Sequence, residues 1–206
     1  MIITEIKKNK NAPGYAVIAD GEFLFSLDGE TVLKENLKKG TELSKEKAAS
    51  LKFQSEYYRA REKALRLLDR RAHSKAEIIR KLQENYPKEV SEAVAERLEE
   101  VGIINDEEFA RLYYRELSLV KKFGEKRIST ELYRRGISRD IIDSLKEENS
   151  DEEQYLKIVE ELKRRRVDLS DEKIKRRTVA KFIRNGYSYD DIKTAFAALN
   201  EEIDDE

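Results

Sequence analysis

Apolar positions alternate with polar ones over the first 28 residues, and from residue 44 onward they recur every three or four residues. The first spacing is that of half-buried strands and the second that of amphipathic helices. Ile2 to Ile6, Tyr15 to Ala19 and Glu22 to Leu27 are the strand-like runs, with Asn11-Ala12-Pro13-Gly14 as the first loop. Asp20-Gly21 predicts a tight hairpin, because a type I′ turn needs positive φ at both central residues. Three short strands need a helix over one face, and Glu30 to Lys39, stopped by Gly40, predicts one.

The helical part opens with Ser44 as N-cap of a long helix to about Arg71, with Tyr57, Ala64, Leu65 and Leu68 on one face. Ser74 and Glu77 form a capping box before Ile78 and Leu82. Pro87 suits the first turn of a third helix carrying Val90, Val94, Leu98 and Val101, with Gly102 as C-cap and Ile103 as its apolar contact. Asn105 and Glu108 then restart the pattern ahead of Phe109, Leu112, Tyr113, Leu117 and Val120. Gly124 precedes a short helix with Ile128 and Leu132, stopped by Gly136, and Ser138 caps one with Ile141, Ile142 and Leu145. A last cycle opens at Ser150 and Glu153, with Tyr155, Val159 and Leu162. It runs from Ser170 through Ile174, Thr178 and Phe182 to Gly186, and ends in a helix capped by Ser188 and Asp191 before an acidic tail.

At an offset of 50, Leu132 falls on Phe182, Gly136 on Gly186, Ser138 on Ser188 and Ile142 on Ile192. The first cycle joins at the same offset through Ser74 on Gly124, Ile78 on Ile128 and Leu82 on Leu132. Core positions and helix stops recur while loops differ, as in a repeat array whose units stack on their neighbours. The expected fold is mainly α: three tandem three-helix repeats in an elongated, curved array behind a small N-terminal β-rich head. The expected divisions are a head at 1–43, a linking helix and repeat 1 at 44–104, repeat 2 at 105–149, and repeat 3 with the acidic tail at 150–206.

Composition removes several kinds of chemistry. Charged residues are 41% of the 206, against about a quarter in ordinary soluble domains. The 42 basic and 43 acidic side chains nearly cancel, so nucleic-acid affinity requires a local patch. There is no cysteine and only one histidine, His73, so a zinc site is not expected. Asp106-Glu107-Glu108 and Asp151-Glu152-Glu153 fall in first helical turns, where carboxylates favour the helix dipole. No nucleophile elbow, P-loop or dinucleotide fingerprint occurs, and no catalytic residue, metal or cofactor is expected. Without a membrane span or a signal peptide, the expectation is a cytoplasmic protein, and a monomer is expected. Tyr57, Tyr58, Tyr113, Tyr114 and Tyr155 sit at helical spacing that predicts core packing, with base stacking as the other reading.

The basic positions carry more. Arg70-Arg71, Lys121-Lys122 and Arg164-Arg165-Arg166 end long helices, where the dipole favours cations. In the middle helices Lys126, Arg127 and Arg134 correspond to Arg176, Arg177 and Arg184, whereas repeat 1 has Ala76, Glu77 and Glu84 there. Positions 127 and 134 are seven apart and share a helix face. Such a face points to a phosphate backbone or an acidic partner surface, or is simply solvated.

The ordered segments Ala64 to Leu68, Arg71 to Glu77, Ile79 to Leu82, Val101 to Ala110, Gly124 to Ile128 and Glu131 to Ile137 resemble the RecX family of regulatory proteins. The resemblance spans residues 57–146 and extends over 150–199 through the repeat relation, and the head is similar to N-terminal extensions of some members. It implies a non-enzymatic protein that binds along the groove of the RecA–single-stranded DNA filament. It also implies inhibition of RecA ATPase and strand exchange in recombination, DNA repair and the SOS response. The contact candidates, for RecA or for single- or double-stranded DNA, are Arg70, Arg71, Lys75, Arg80, Lys126, Arg127, Arg134, Arg135, Arg176, Arg177 and Arg184. The competing reading is a DNA-binding protein acting through its basic helices without RecA.

Overall fold

A computed structural model describes residues 1–10, 14–149 and 154–204, with side chains to residue 199. The expected cap at Ser150 and Glu153, the first-turn carboxylates Asp151 to Glu153 and the side chains of the acidic tail lie outside the described residues. Chain contacts divide the molecule into two compact units, 1–104 and 105–206.

The head of the first unit is an antiparallel sheet of β1 (Ile3–Lys8), β2 (Tyr15–Ala19) and β3 (Glu22–Leu27), in the order β1-β2-β3. Asp20 and Gly21 have φ of 51° and 86°, the positive pair that a two-residue hairpin turn requires. Helix α1 (Gly29–Lys34) is shorter than expected. Asn36 takes φ 48°, and its amide and that of Leu37 bond back to Leu33 and Val32, so the chain turns in before Gly40 and buries Leu37. Asparagine does here what glycine does at Gly102, Gly136 and Gly186.

Helix α2 (Lys45–Arg70) belongs to two cores. Ala48 and Leu51 pack with Ile3, Val17 and Leu27 of the sheet. Two turns on, Ala60 and Ala64 pack with Ile78 and Leu82 of α3 (Lys75–Gln83) and Val94 and Leu98 of α4 (Lys88–Glu100). Between the two, the buried Ser55 hydroxyl takes the Asp28 amide at 3.1 Å and donates to the Ser26 carbonyl.

The second unit contains α5 (Asp106–Arg115), a π-helical turn (Glu116–Val120), α6 (Glu125–Arg134), α7 (Arg139–Glu148), α8 (Gln154–Arg165), α9 (Glu172–Arg184) and α10 (Tyr189–Asp204). Its two three-helix groups have separate apolar cores, one around Phe109, Tyr114, Ile128 and Leu132, the other around Ile158, Leu162, Phe182 and Ile192. The caps at Ser44, Ser74, Asn105 and Ser138 each accept the expected amide, and Ser188 with Asp191 closes a reciprocal box.

Several expected positions move. Pro87 is the N-cap rather than the first helical residue, and Asp171 rather than Ser170 caps α9 through the amides of Lys173 and Ile174. Ser170 instead bonds to Asp168. Val101 is 49% exposed and Ile103 lies outside the core; Ile104 is the buried residue behind Gly102. Leu112 and Val120 are 54% and 71% exposed, while Tyr114 is buried. The π turn adds a residue to the last turn of α5, so the buried face passes through Leu117 and Ser118 and leaves Val120 in solvent.

Leu82→Ala is expected to cost about 2–5 kcal/mol, as a fully buried leucine, and Val101→Ala under about 0.5 kcal/mol, read by urea unfolding followed by circular dichroism. His73 is buried, and burial, with Arg71 and Lys81 nearby, pulls its pKa below the usual 6.5 although the Arg71 carbonyl lies 2.9 Å from Nδ1. The folded state therefore favours neutral imidazole, so this contribution is present above the unfolded pKa and lost as pH falls below it. Between pH 7.5 and 5.5 the wild type is expected to lose more stability than His73→Gln, with urea midpoints as the measure.

Candidate nucleic-acid interface

The N-terminus of α6 and the C-terminus of α9 meet end to end. Helix α6 has no side-chain cap, because Gly124 stands where repeat 1 has Ser74. Its first amides are satisfied across the joint: Gly124 N–H donates to the Asn185 carbonyl at 2.8 Å and Lys126 N–H to the Gly186 carbonyl at 3.2 Å. The negative end of one helix thus faces the positive end of the other. The approach is close enough that a Cβ on Gly124 meets the Gly186 carbonyl carbon at 2.5 Å, and a Cβ on Gly186 meets the Arg127 amide at 2.3 Å.

Arg127 holds the joint from the side. Its Nη1 donates to Asn185 Oδ1 at 3.0 Å and to the Arg184 carbonyl at 3.4 Å, and its guanidinium lies 3.7 Å from the Phe123 ring centre. The Tyr187 hydroxyl donates to the Lys122 carbonyl, Lys157 to the buried Ser118 hydroxyl at 2.7 Å, and Lys122 pairs with Glu160 at 3.3 Å.

Above this joint lies an open cleft of 530 Å³ bounded by α6 and the last turn of α9. Lys126, Arg127, Arg134 and Arg184 line it against one carboxylate, Glu131, which pairs with Arg134 at 3.3 Å. Four of the sequence-selected cations therefore converge on one surface, with Thr130 and Ile183 between them.

The others lie elsewhere. Arg135 turns to Tyr113, 4.9 Å from its ring centre. Arg176 and Arg177 are exposed earlier on α9, outside the cleft lining. In the first unit Arg71 bonds Glu77 at 3.2 Å and Lys75 pairs with Glu99 at 2.6 Å, so both have structural partners, while Arg70 and Arg80 are exposed. The Arg164-Arg165 pair closes on Glu161, which also takes Lys181 at 3.2 Å; despite its burial, these cations hold its carboxyl below the usual range. Among the tyrosines Tyr114 is core, and Tyr57, Tyr113 and Tyr155 are half-buried. Tyr133, absent from the candidates, is 72% exposed seven residues beyond Lys126 on the same face of α6. Among the described residues no group of three or more His, Asp or Glu could hold a metal, and no helix is long and apolar enough to cross a membrane.

Tandem three-helix groups following a three-stranded head, with a cation cleft at the joint of the two groups in the second unit, define a helical-repeat protein. Family models bear out and extend the likeness: "Regulatory protein RecX N-terminal domain" matches residues 1–44, "RecX, first three-helix domain" residues 60–98 and "RecX, second three-helix domain" residues 105–144. The chain is 30% identical over 191 residues to regulatory protein RecX of Lactobacillus johnsonii, covering 91% of this chain and 70% of the relative. It is 29% identical over 210 residues to that of Bacillus subtilis, covering 99% and 79%. A crystal structure of regulatory protein RecX superposes with a TM-score of 0.65 at 22% identity, over 95% of this chain and 98% of that one. RecX from Lactobacillus salivarius gives 0.61 at 22% identity over 70% and 97%. The chain belongs to the RecX family of regulatory proteins.

Gly102 and Gly186 have φ of 73° and 93°, but a Cβ on Gly102 enters open space. Gly102→Ala is expected to cost about 1–2 kcal/mol from the left-handed backbone alone. Gly186→Ala adds the clash with Arg127 and is expected to cost distinctly more, with a larger fall in Tm by calorimetry.

Proposed function

We propose that this protein regulates the RecA recombinase by binding the RecA–single-stranded DNA filament and lowering its ATPase and strand-exchange activity. The observation that carries the reading is membership of the RecX regulatory family, whose models account for the head and two successive three-helix units. The filament offers a repeating protein surface and a polyanion, and a repeat array presents several units to such a lattice. In this reading the protein acts as a monomer with no catalytic group, built of a head (1–43), repeat 1 (44–104), repeat 2 (105–149) and repeat 3 (150–206). Lys126, Arg134 and Arg184 face the nucleic acid, with Arg176 and Arg177 extending the track, while Arg127 supports the surface from within the joint.

Titration into a RecA ATPase assay with single-stranded DNA is expected to reduce hydrolysis at stoichiometric protein. Lys126→Glu with Arg184→Glu is expected to raise the concentration needed about tenfold, equivalent to ~1.4 kcal/mol. Undiminished hydrolysis and unchanged filament length with the wild type overturn the reading. The four-cation cleft also favours a second reading, direct DNA binding without RecA. Fluorescence anisotropy with labelled DNA separates them: RecA-independent binding falls steeply with salt, since each neutralised phosphate releases a counterion.

A further inference from the structure

The joint between α6 and α9 is polar, and cations line the cleft on both sides of it, with Glu131 as the one carboxylate in the lining. No residue is shared between the apolar cores of the two three-helix groups. What joins the groups is a pair of amide–carbonyl bonds and two glycines in close contact between α6 and α9, the Arg127 side chain, and the polar Tyr187–Lys122, Lys157–Ser118 and Lys122–Glu160 contacts. Each such bond contributes only about 0.5–1.5 kcal/mol net. Lys126 and Arg134 lie on one side of the cleft and Arg184 on the other. Their mutual repulsion works against the contact that brings them together, and salt screens it.

A ligand carrying several negative charges, long enough to reach cations on both sides, reverses that balance. Tyr133 adds a second element: an exposed ring on the Lys126 face of α6, next to Arg134. Cations beside an available ring are the combination that tracks a single strand, with phosphates on the charges and a base on the ring. Duplex DNA buries its base faces in the stack and offers the ring nothing.

From these features we infer that consecutive phosphodiesters of a single polynucleotide strand occupy the cleft and lock the α8–α10 group onto the α5–α7 group. The strand binds the closed joint better than the open one, because only the closed joint presents Arg184 beside Lys126 and Arg134. By linkage, occupancy stabilises the closed joint by the same factor. This coupling rests on the reading of the cleft as a nucleic-acid surface.

The amides of Gly124 and Lys126 report the joint directly, since each donates across it. In the full-length protein, saturating oligothymidylate is expected to slow their hydrogen exchange about tenfold, with amides in the middle of α2 unchanged as control. Arg184→Glu replaces repulsion across the cleft with attraction. It is expected to slow exchange at the same two amides without any ligand, while weakening oligothymidylate binding. Tyr133→Leu is expected to weaken single-strand binding and leave duplex binding as it was. Anisotropy showing oligothymidylate bound while both amides exchange at the free rate overturns the coupling and leaves the cleft reading intact. Absence of binding at low salt removes the cleft reading and the coupling with it. Unaltered exchange in ligand-free Arg184→Glu overturns the electrostatic part, whatever the strand does.

Discussion

A helix of ten residues leaves about eight of its roughly twenty backbone polar groups without an intrahelical partner, and a fold made of short helices depends on where those end groups find partners. Here five of the C-terminal ends share one solution. At Asn36, Gly102, Gly136, Arg166 and Gly186 the residue's own amide and the one after it turn back onto carbonyls of the last turn, and the chain leaves with an apolar side chain at hand. Ile137 and Tyr187, each directly after its glycine, are buried core residues. The stop that satisfies one helix thus also sets where the next begins. At Gly186 the turn does more: its carbonyl and that of Asn185 become the missing cap of α6. Two end problems are solved by one contact, and the cation cleft is a by-product of that geometry.

The parts of the fold governed by neighbouring residues were legible in the sequence. Hairpin turn, serine and asparagine caps, and the recurrent apolar positions depend on residues within four of each other. The exceptions have local physical causes. Val120 was placed inside because a uniform helical period was assumed, and the π turn at Glu116–Val120 breaks that period, whereas Leu112 precedes the turn and lies off the face of α5 that buries Phe109, Ala110 and Tyr114. Val101 continues the spacing of Val90, Val94 and Leu98, but the helix has already ended there and Ile104 takes the buried place.

The candidate site was legible as residues and not as a place. Repeat comparison picked out Lys126, Arg127, Arg134 and Arg184, and they converge. It could not separate Arg127, which is bonded into the joint, from Lys126, which is exposed, because the difference arises from contacts nearly sixty residues away. One signal was present: a glycine at position 124, where repeat 1 has a capping serine, marks a helix start that must find its partner elsewhere. For the same reason the cations of the first unit were over-read. Arg71 and Lys75 look as free in sequence as Lys126, yet each has a carboxylate partner in the fold.

Helix α2 is about 39 Å long by its 26 residues, and its two ends are built into different cores. It carries no proline or glycine, the usual causes of a kink. The sheet grips one end, with Ser55 and Arg59 tied to the Ser26 carbonyl, and Ile78, Leu82 and Leu98 grip the other. Mechanically it is a beam clamped at both ends. The head and the first three-helix group are therefore spaced by a continuous helix rather than by a loop, and a shift of one core is passed to the other along the same backbone hydrogen-bond ladder.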